Sequence, residues 1–171
     1  VRMTKKTTKQ VALQMEQMYP NLFQVFDRLN KEKFGGKLPV PQLEWMWGVK
    51  TGGMFHWKPM KIRISKKYFQ AYGMEQVEAI MLHEMVHLWE FVNFGKTGHG
   101  KRFKDKLEEV AGTRNIHCPP LPLRFFKYEY QCPVCGKRFG STERWRETRY
   151  CTCREGYTPE IVLKLVREDY E

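Results

Sequence analysis

His83-Glu84-Met85-Val86-His87 lies within residues 74–94, a stretch of good helix formers with few breaks. On a helix, residues four apart share a face, so His83 and His87 aim two imidazoles at one point. Neutral imidazole is a preferred zinc ligand. Glu84 lies one step round the helix, too close to be a comfortable third ligand. It is well placed to take a proton from a water at the metal. Val77, Ile80, Met81, Met85, Leu88 and Trp89 surround the trio with apolar side chains. Three ionisable groups inside an otherwise buried helix are costly unless they have a role.

A catalytic zinc needs a third protein ligand and keeps its fourth position for water. Downstream stands Phe94-Gly95-Lys96-Thr97-Gly98-His99-Gly100, where glycines free the backbone to leave the helix and fold back. His99 is the expected third ligand. The competitors are carboxylates: Glu108 or Glu109 on the next helix, and Glu90, which on a straight helix points well away from His83.

The 171 residues suffice for one medium domain, or a small one with an appendage. Hydrophobic residues make up 42% and aromatics 14%, enough for a real core, and the formal charge of +11 favours a polyanionic partner, most simply nucleic acid. No apolar run is long enough to span a membrane, and the first residues lack the apolar core of a signal peptide. The expectation is a protein that is not secreted, cytoplasmic or associated with nucleoid or nucleus, without a membrane partner.

Residues 1–20 read as a basic arm (Arg2, Lys5, Lys6, Lys9) followed by a short helix over about 8–18. Asn21 can cap the next helix, residues 21–33, with Leu22, Phe26 and Leu29 on one face and Gly35-Gly36 as its stop. Residues 43–49, 54–57 and 61–65 read as three short strands joined by tight turns, hence an antiparallel sheet. Residues 66–71 read as a short helix before the 74–94 helix. In the helix over 101–111, Phe103, Leu107, Val110 and Ala111 face inward, and Lys101, Arg102, Lys104 and Lys106 load the outer side. Such a charge run is usually a solvated face. The fold class is therefore α+β: a domain over 21–113, an irregular proline-bearing boundary, and a small subdomain over 124–171.

That subdomain carries Cys132-Pro133-Val134-Cys135-Gly136, a C-x-x-C knuckle, and Cys151-Thr152-Cys153. Four thiolates close a tetrahedral zinc site with no open position, so its role is structural. Cys118 is the alternative should one of the four not be a ligand. An extended segment over 126–131 precedes the knuckle. A strand over 161–166 closes the ribbon, with Ile161, Leu163 and Leu165 on one side. Between the cysteine pairs, Lys137, Arg138, Arg144, Arg146 and Arg149 interleave with Phe139, Trp145 and Tyr150. Basic side chains suit phosphates and an exposed aromatic ring stacks on unpaired bases. Lys137, Arg138, Arg144, Trp145, Arg146 and Arg149 are the candidate nucleic-acid contacts. Phe139 reads as core, and Trp145 reads equally as core or as a stacking platform.

Residues 22–112 resemble the metalloprotease domain of the SprT-like family, which includes the Spartan proteases. The likeness rests on Phe34-Gly35-Gly36-Lys37-Leu38, the Gly52-Gly53 hairpin and Ile62-Arg63-Ile64-Ser65. Above all it rests on His83-Glu84-Met85-Val86-His87 with Gly98-His99-Gly100-Lys101-Arg102-Phe103. The cysteine-rich tail is similar to the zinc-binding subdomain that follows in that family, with a departure at the C-x-C pair. The resemblance implies a minimal zincin-like fold and a zinc endopeptidase with Glu84 as general base. It also implies one catalytic and one structural zinc, and substrates that are proteins bound or crosslinked to DNA, cut in a DNA-dependent way. Single-stranded or junction-containing DNA is the implied partner. Two rivals stand beside this expectation: a DNA-binding, transcription-associated adaptor using the same core as a scaffold, and a zinc hydrolase of a small amide.

Overall fold

Asn21 caps the first helix in the computed structural model, which describes residues 19–156 and 158–169. The expected basic arm and the helix over 8–18 lie outside the described residues. The chain divides into two compact units, one ending at Cys118 and the other beginning at Pro119.

In the first unit, α1 (Leu22–Phe34) starts where Asn21 Oδ1 accepts the Phe23 N–H at 2.9 Å. It stops at Gly35, whose φ of 63° suits glycine. Asn30, buried on this helix, donates to the Leu38 carbonyl at 3.0 Å and accepts the Leu38 N–H at 3.1 Å. One amide thus clamps the Gly35-Gly36 turn, satisfying two buried backbone groups that would otherwise be costly.

The sheet contains β1 (Gln42–Met46), β2 (Gly53–Trp57) and β3 (Met60–Ser65), in the order β1-β3-β2. The expected all-antiparallel arrangement needs correction: β2 is antiparallel to β3, but β1 is parallel to it. The reason lies in the segment after β1. Ser65 Oγ donates to the Gly48 carbonyl at 2.6 Å, and the Ser65 N–H donates to the Gly52 carbonyl at 2.8 Å. The end of β3 therefore holds the connection as it crosses over, and β2 emerges on the far side of β3. The first strand also ends at Met46 rather than 49, with Trp47 about half exposed.

The long helix α2 (Lys66–Phe94) packs on this sheet, burying Ile62 and Ile64 with Val77, Ile80, Met81, Met85 and Leu88. Helical geometry breaks once inside it, at Gly73 (φ 74°, ψ −162°), so the expected segments 66–71 and 74–94 run on as one interrupted element. Gly95 ends it in the left-handed region and donates to the Phe91 carbonyl. Helix α3 (Lys101–Ala111) buries Phe103, Leu107 and Val110. On its basic side Lys101 forms an exposed pair of small energetic weight with Asp105, whereas Lys106, paired with Glu109, is largely covered and lies over the Phe34 and Trp89 rings.

In the second unit, a 3-10 turn (Leu123–Phe125) leads into an antiparallel sheet of order β5-β4-β6. Its strands are β4 (Tyr128–Gln131), β5 (Arg138–Ser141) and β6 (Lys164–Glu168). The closing strand starts later than expected, because a 3-10 turn (Pro159–Ile161) precedes it. Ile161 is fully buried against Cys132 and Cys151, with Phe139, Tyr150 and Leu163 packed around them. Buried Glu129 accepts from Arg138 at 2.7 Å and from Arg167 at 3.1 Å. Arg167 also donates to the Leu123 and Phe126 carbonyls, tying β6 to the entry of the unit.

Candidate active site

His83 and His87 project from one face of α2, and the glycine-rich turn between α2 and α3 brings His99 to them. The His99 Nε2 atom lies 3.1 Å from Nε2 of His83 and 3.1 Å from Nε2 of His87. Bonds of about 2.0–2.1 Å to a tetrahedral zinc place neighbouring nitrogens about 3.3 Å apart, so the spacing fits a zinc-sized ion. Burial first, then the adjoining His99, pushes His83 down to about 4. Burial first, then the two neighbouring imidazoles, pushes His87 down to about 3. Both rings are therefore neutral near pH 7, the state a metal requires. The competing carboxylates stand elsewhere: Glu108 pairs with Arg114, Glu109 with Lys106, and Glu90 accepts the Gly98 N–H.

Glu84 is buried beside the histidines' helix face and outside their cluster. Burial pushes its carboxyl up to about 8, and a hydrogen bond from the Phe55 backbone N–H opposes the rise. The strand β2 thus helps place this side chain. Its close approach requires glycine: a Cβ on Gly53 would lie 2.5 Å from Ile80 Cγ2 and 2.8 Å from Glu84 Oε1. The Gly52-Gly53 pair, legible in sequence only as turn chemistry, is here the place where sheet and metal helix nearly touch.

The SprT-like family profile matches residues 22–122. The chain belongs to the SprT-like family. Among relatives called "Protein SprT-like", that of Geobacillus sp. strain WCH70 is 29% identical over 106 residues, covering 58% of this chain and 67% of its own. That of Enterococcus faecalis is 31% identical over 103 residues, covering 58% of this chain and 66% of its own. The chain thus spans about two thirds of the length of these curated relatives. Among solved structures, the metallopeptidase zymogen of Methanocaldococcus jannaschii jannalysin matches 53% of this chain and 81% of its own, at 17% identity and a TM-score of 0.42. Family membership and the three-histidine cluster together support a metalloprotease and zinc as its metal. Among the described residues no helix is long and apolar enough to cross a membrane.

Four cysteines of this SprT-like chain form a second cluster, beyond the matched residues. The sulfurs of Cys132, Cys135, Cys151 and Cys153 all lie within 4.8 Å of one another. Cys132 and Cys153 are 3.8 Å apart, and Cys135 and Cys151 are 3.6 Å apart. Zinc–sulfur bonds of about 2.3 Å in a tetrahedron put sulfurs about 3.8 Å apart, so the four fit one ion. All five cysteines are free thiols, which disfavours a disulfide framework. The backbone N–H of Cys135, with burial opposing, leads the effects that pull Cys132 down to about 7, favouring its thiolate. Cys118 stands apart, packed against Gly52 in the first unit.

The basic loop of the ribbon is placed as follows. Trp145 stacks on Tyr130 with centroids 3.8 Å apart and planes 12° from parallel, and Arg149 lies 5.0 Å from its centroid. The Trp145 N–H donates to Tyr130 Oη at 2.8 Å. Lys137 sits over Phe139, Arg144 lies 4.0 Å from Glu168, and Arg146 is exposed. Arg138 is committed to Glu129, because a buried carboxylate demands a cation. Phe139 is core, as expected; Trp145 is half-buried and lines a cavity of about 680 Å³ with Lys127, Tyr128, Arg144 and Arg146.

Two further side chains able to donate a hydrogen bond to a developing oxyanion, His56 and Tyr68, have contrasting surroundings. His56 pairs across the sheet with Lys61, on the face opposite Gly53 and Phe55, and so points away from the metal helix. Tyr68 is buried near Cys118, and burial pushes its phenol up.

Proposed function

We propose that this protein is a zinc-dependent endopeptidase acting on DNA-bound or DNA-crosslinked proteins, with activity that depends on DNA. The observation that carries the hydrolytic half is three imidazoles converging beside one buried carboxylate that is not among them. His83, His87 and His99 would hold the catalytic zinc, which supplies Lewis acidity to activate water and polarise a carbonyl. Glu84 takes the proton of the attacking water and hands it to the leaving amine. The Phe55 N–H keeps the Glu84 carboxyl in place throughout. Strand β2 stands at the end of its sheet, so an extended substrate can add to its open edge by main-chain hydrogen bonds. Cys132, Cys135, Cys151 and Cys153 would hold the second, structural zinc.

Net charge and the ribbon support the DNA half. Trp145, braced by Tyr130, presents a ring for a base; Arg144, Arg146 and Arg149 lie around it with charge for phosphates, and Lys137, over Phe139, adds to the basic loop. Single-stranded or junction-containing DNA suits such a platform, and the site of action is then cytoplasm with nucleoid, or nucleus. The test is peptide-bond cleavage with no DNA, single-stranded DNA and double-stranded DNA, with Glu84→Gln as the blank. Cleavage only with DNA supports the proposal; equal rates throughout remove the DNA dependence. Zinc loading without hydrolysis in any condition favours the adaptor.

A further inference from the structure

Histidines that ligate a metal normally donate their second ring nitrogen to a carboxylate, carbonyl or water, which fixes the ring. Here Nδ1 of His83 and Nδ1 of His87 are buried and have no hydrogen-bond partner among the described residues. Something else must set the rings. Phe103, 2% exposed on α3, touches all three: centroid distances are 4.9 Å to His83, 4.4 Å to His87 and 4.8 Å to His99. A single aromatic ring is thus the shared floor of the cluster.

The backbone carrying His99 poses a second problem. Its turn holds Gly95, Gly98 and Gly100, and glycine leaves a chain with many conformations to lose. Glu90 is a buried carboxylate, 6% exposed, and its Oε2 accepts the Gly98 N–H at 2.8 Å. This bond ties the turn to the metal helix one residue before His99.

We propose that Phe103 and Glu90 are positioning residues that preset the histidine cluster, Phe103 orienting the rings and Glu90 fixing the turn. The inference rests on the metallopeptidase reading of the three histidines. In place of the usual hydrogen-bonded support, this site uses a packed ring and a tethered turn. Neither residue touches the reacting atoms; both act through the ligands.

The test is made on the full chain, loaded with zinc and then dialysed against graded chelator. Cobalt substitution gives the visible spectrum of the histidine site, taken as a difference against His99→Ala. Phe103→Leu and Glu90→Ala should weaken the histidine-site ion by roughly 10- to 100-fold and alter the cobalt spectrum. The ribbon ion should stay. Glu90→Gln keeps an acceptor for the Gly98 N–H and should recover most of the affinity. Leu107→Ala, on the same helix, should lower the melting temperature without moving the affinity. If Phe103→Leu does not fold, the Glu90→Ala and Glu90→Gln pair decides. Unchanged affinity and spectrum in the variants of a wild type that does load would overturn the inference alone. A wild type that takes no ion at its histidines removes the metallopeptidase reading and this inference with it.

Discussion

The two metal-shaped clusters of this molecule are built on opposite plans. The histidines sit on a finished hydrophobic core: Ile62, Ile64, Val77, Met81, Met85 and Leu88 are fully buried around them without help from an ion. Burying each such side chain contributes about 1.5–3 kcal/mol. In the ribbon, two of the four cysteines are themselves the core, and of the largest fully buried side chains among the described residues only Ile161 belongs to it. One cluster borrows its rigidity from the fold, and the other must create it. A metal that does chemistry has to exchange its open ligand position between water and substrate without unfolding its host. A metal that replaces a core does not.

The sharpest way to break this contrast is Cys132→Ser. It should cost the ribbon most of the roughly 10–16 kcal/mol that a structural zinc contributes, so the second unit loses protection from proteolysis. The first unit should keep its helical circular dichroism. Equal loss in both units would mean the clusters are not independent in kind. Next in size is Glu84→Gln, which should lower peptide cleavage by about 10³-fold, read by steady-state kinetics, with both ions retained by mass spectrometry. Loss of the histidine-site ion in this variant would make Glu84 a ligand and not a base.

A third, smaller effect is a pH slope in the metal-free chain. Glu84 has a folded pKa of about 8, above the ordinary carboxyl value of 4.5, so its protonated form favours the fold. That contribution is complete below about pH 4.5 and is lost as pH rises through 8. His83 and His87 act in the opposite sense, their folded values near 4 and 3 costing stability as pH falls below 6.5. Urea midpoints of wild type minus Glu84→Gln isolate the carboxyl, and the variant should gain on wild type from pH 5 to 8. A flat difference would mean that Glu84 is not desolvated. Smallest is Gly53→Ala, which should destabilise the first unit by about 1–3 kcal/mol, since its Cβ meets Ile80 and Glu84, and leave the ribbon unchanged.

Much of the histidine site was legible because helical periodicity is local. His83, Glu84 and His87 are related by one turn of helix, and the glycines around His99 announce a chain reversal. The cysteine cluster was legible for the same reason, two close pairs. What escaped was whatever depends on contacts distant in sequence. The parallel pairing of β1 with β3 is held by Ser65 reaching back to Gly48 and Gly52. No pattern within either strand encodes it. In the sequence Glu90 stands out only as a candidate ligand, because its partner is a backbone N–H, which every residue but proline has. Phe103 looked like one more core position, and only the folded rings reveal that it meets three histidines. Arg138 reads in sequence as a phosphate contact, and only the fold shows that it also pairs with buried Glu129.

The break at Gly73 bears on how this architecture tolerates change. Adding one residue to an unbroken helix swings everything downstream by about 100°. Here the left-handed joint lies between the exit from β3 and the histidine-bearing segment, and a Cβ at Gly73 would meet no neighbouring atom within 4 Å. Length differences ahead of the joint can therefore be absorbed there, and the angular phase of His83 and His87 against β2 is insulated from them.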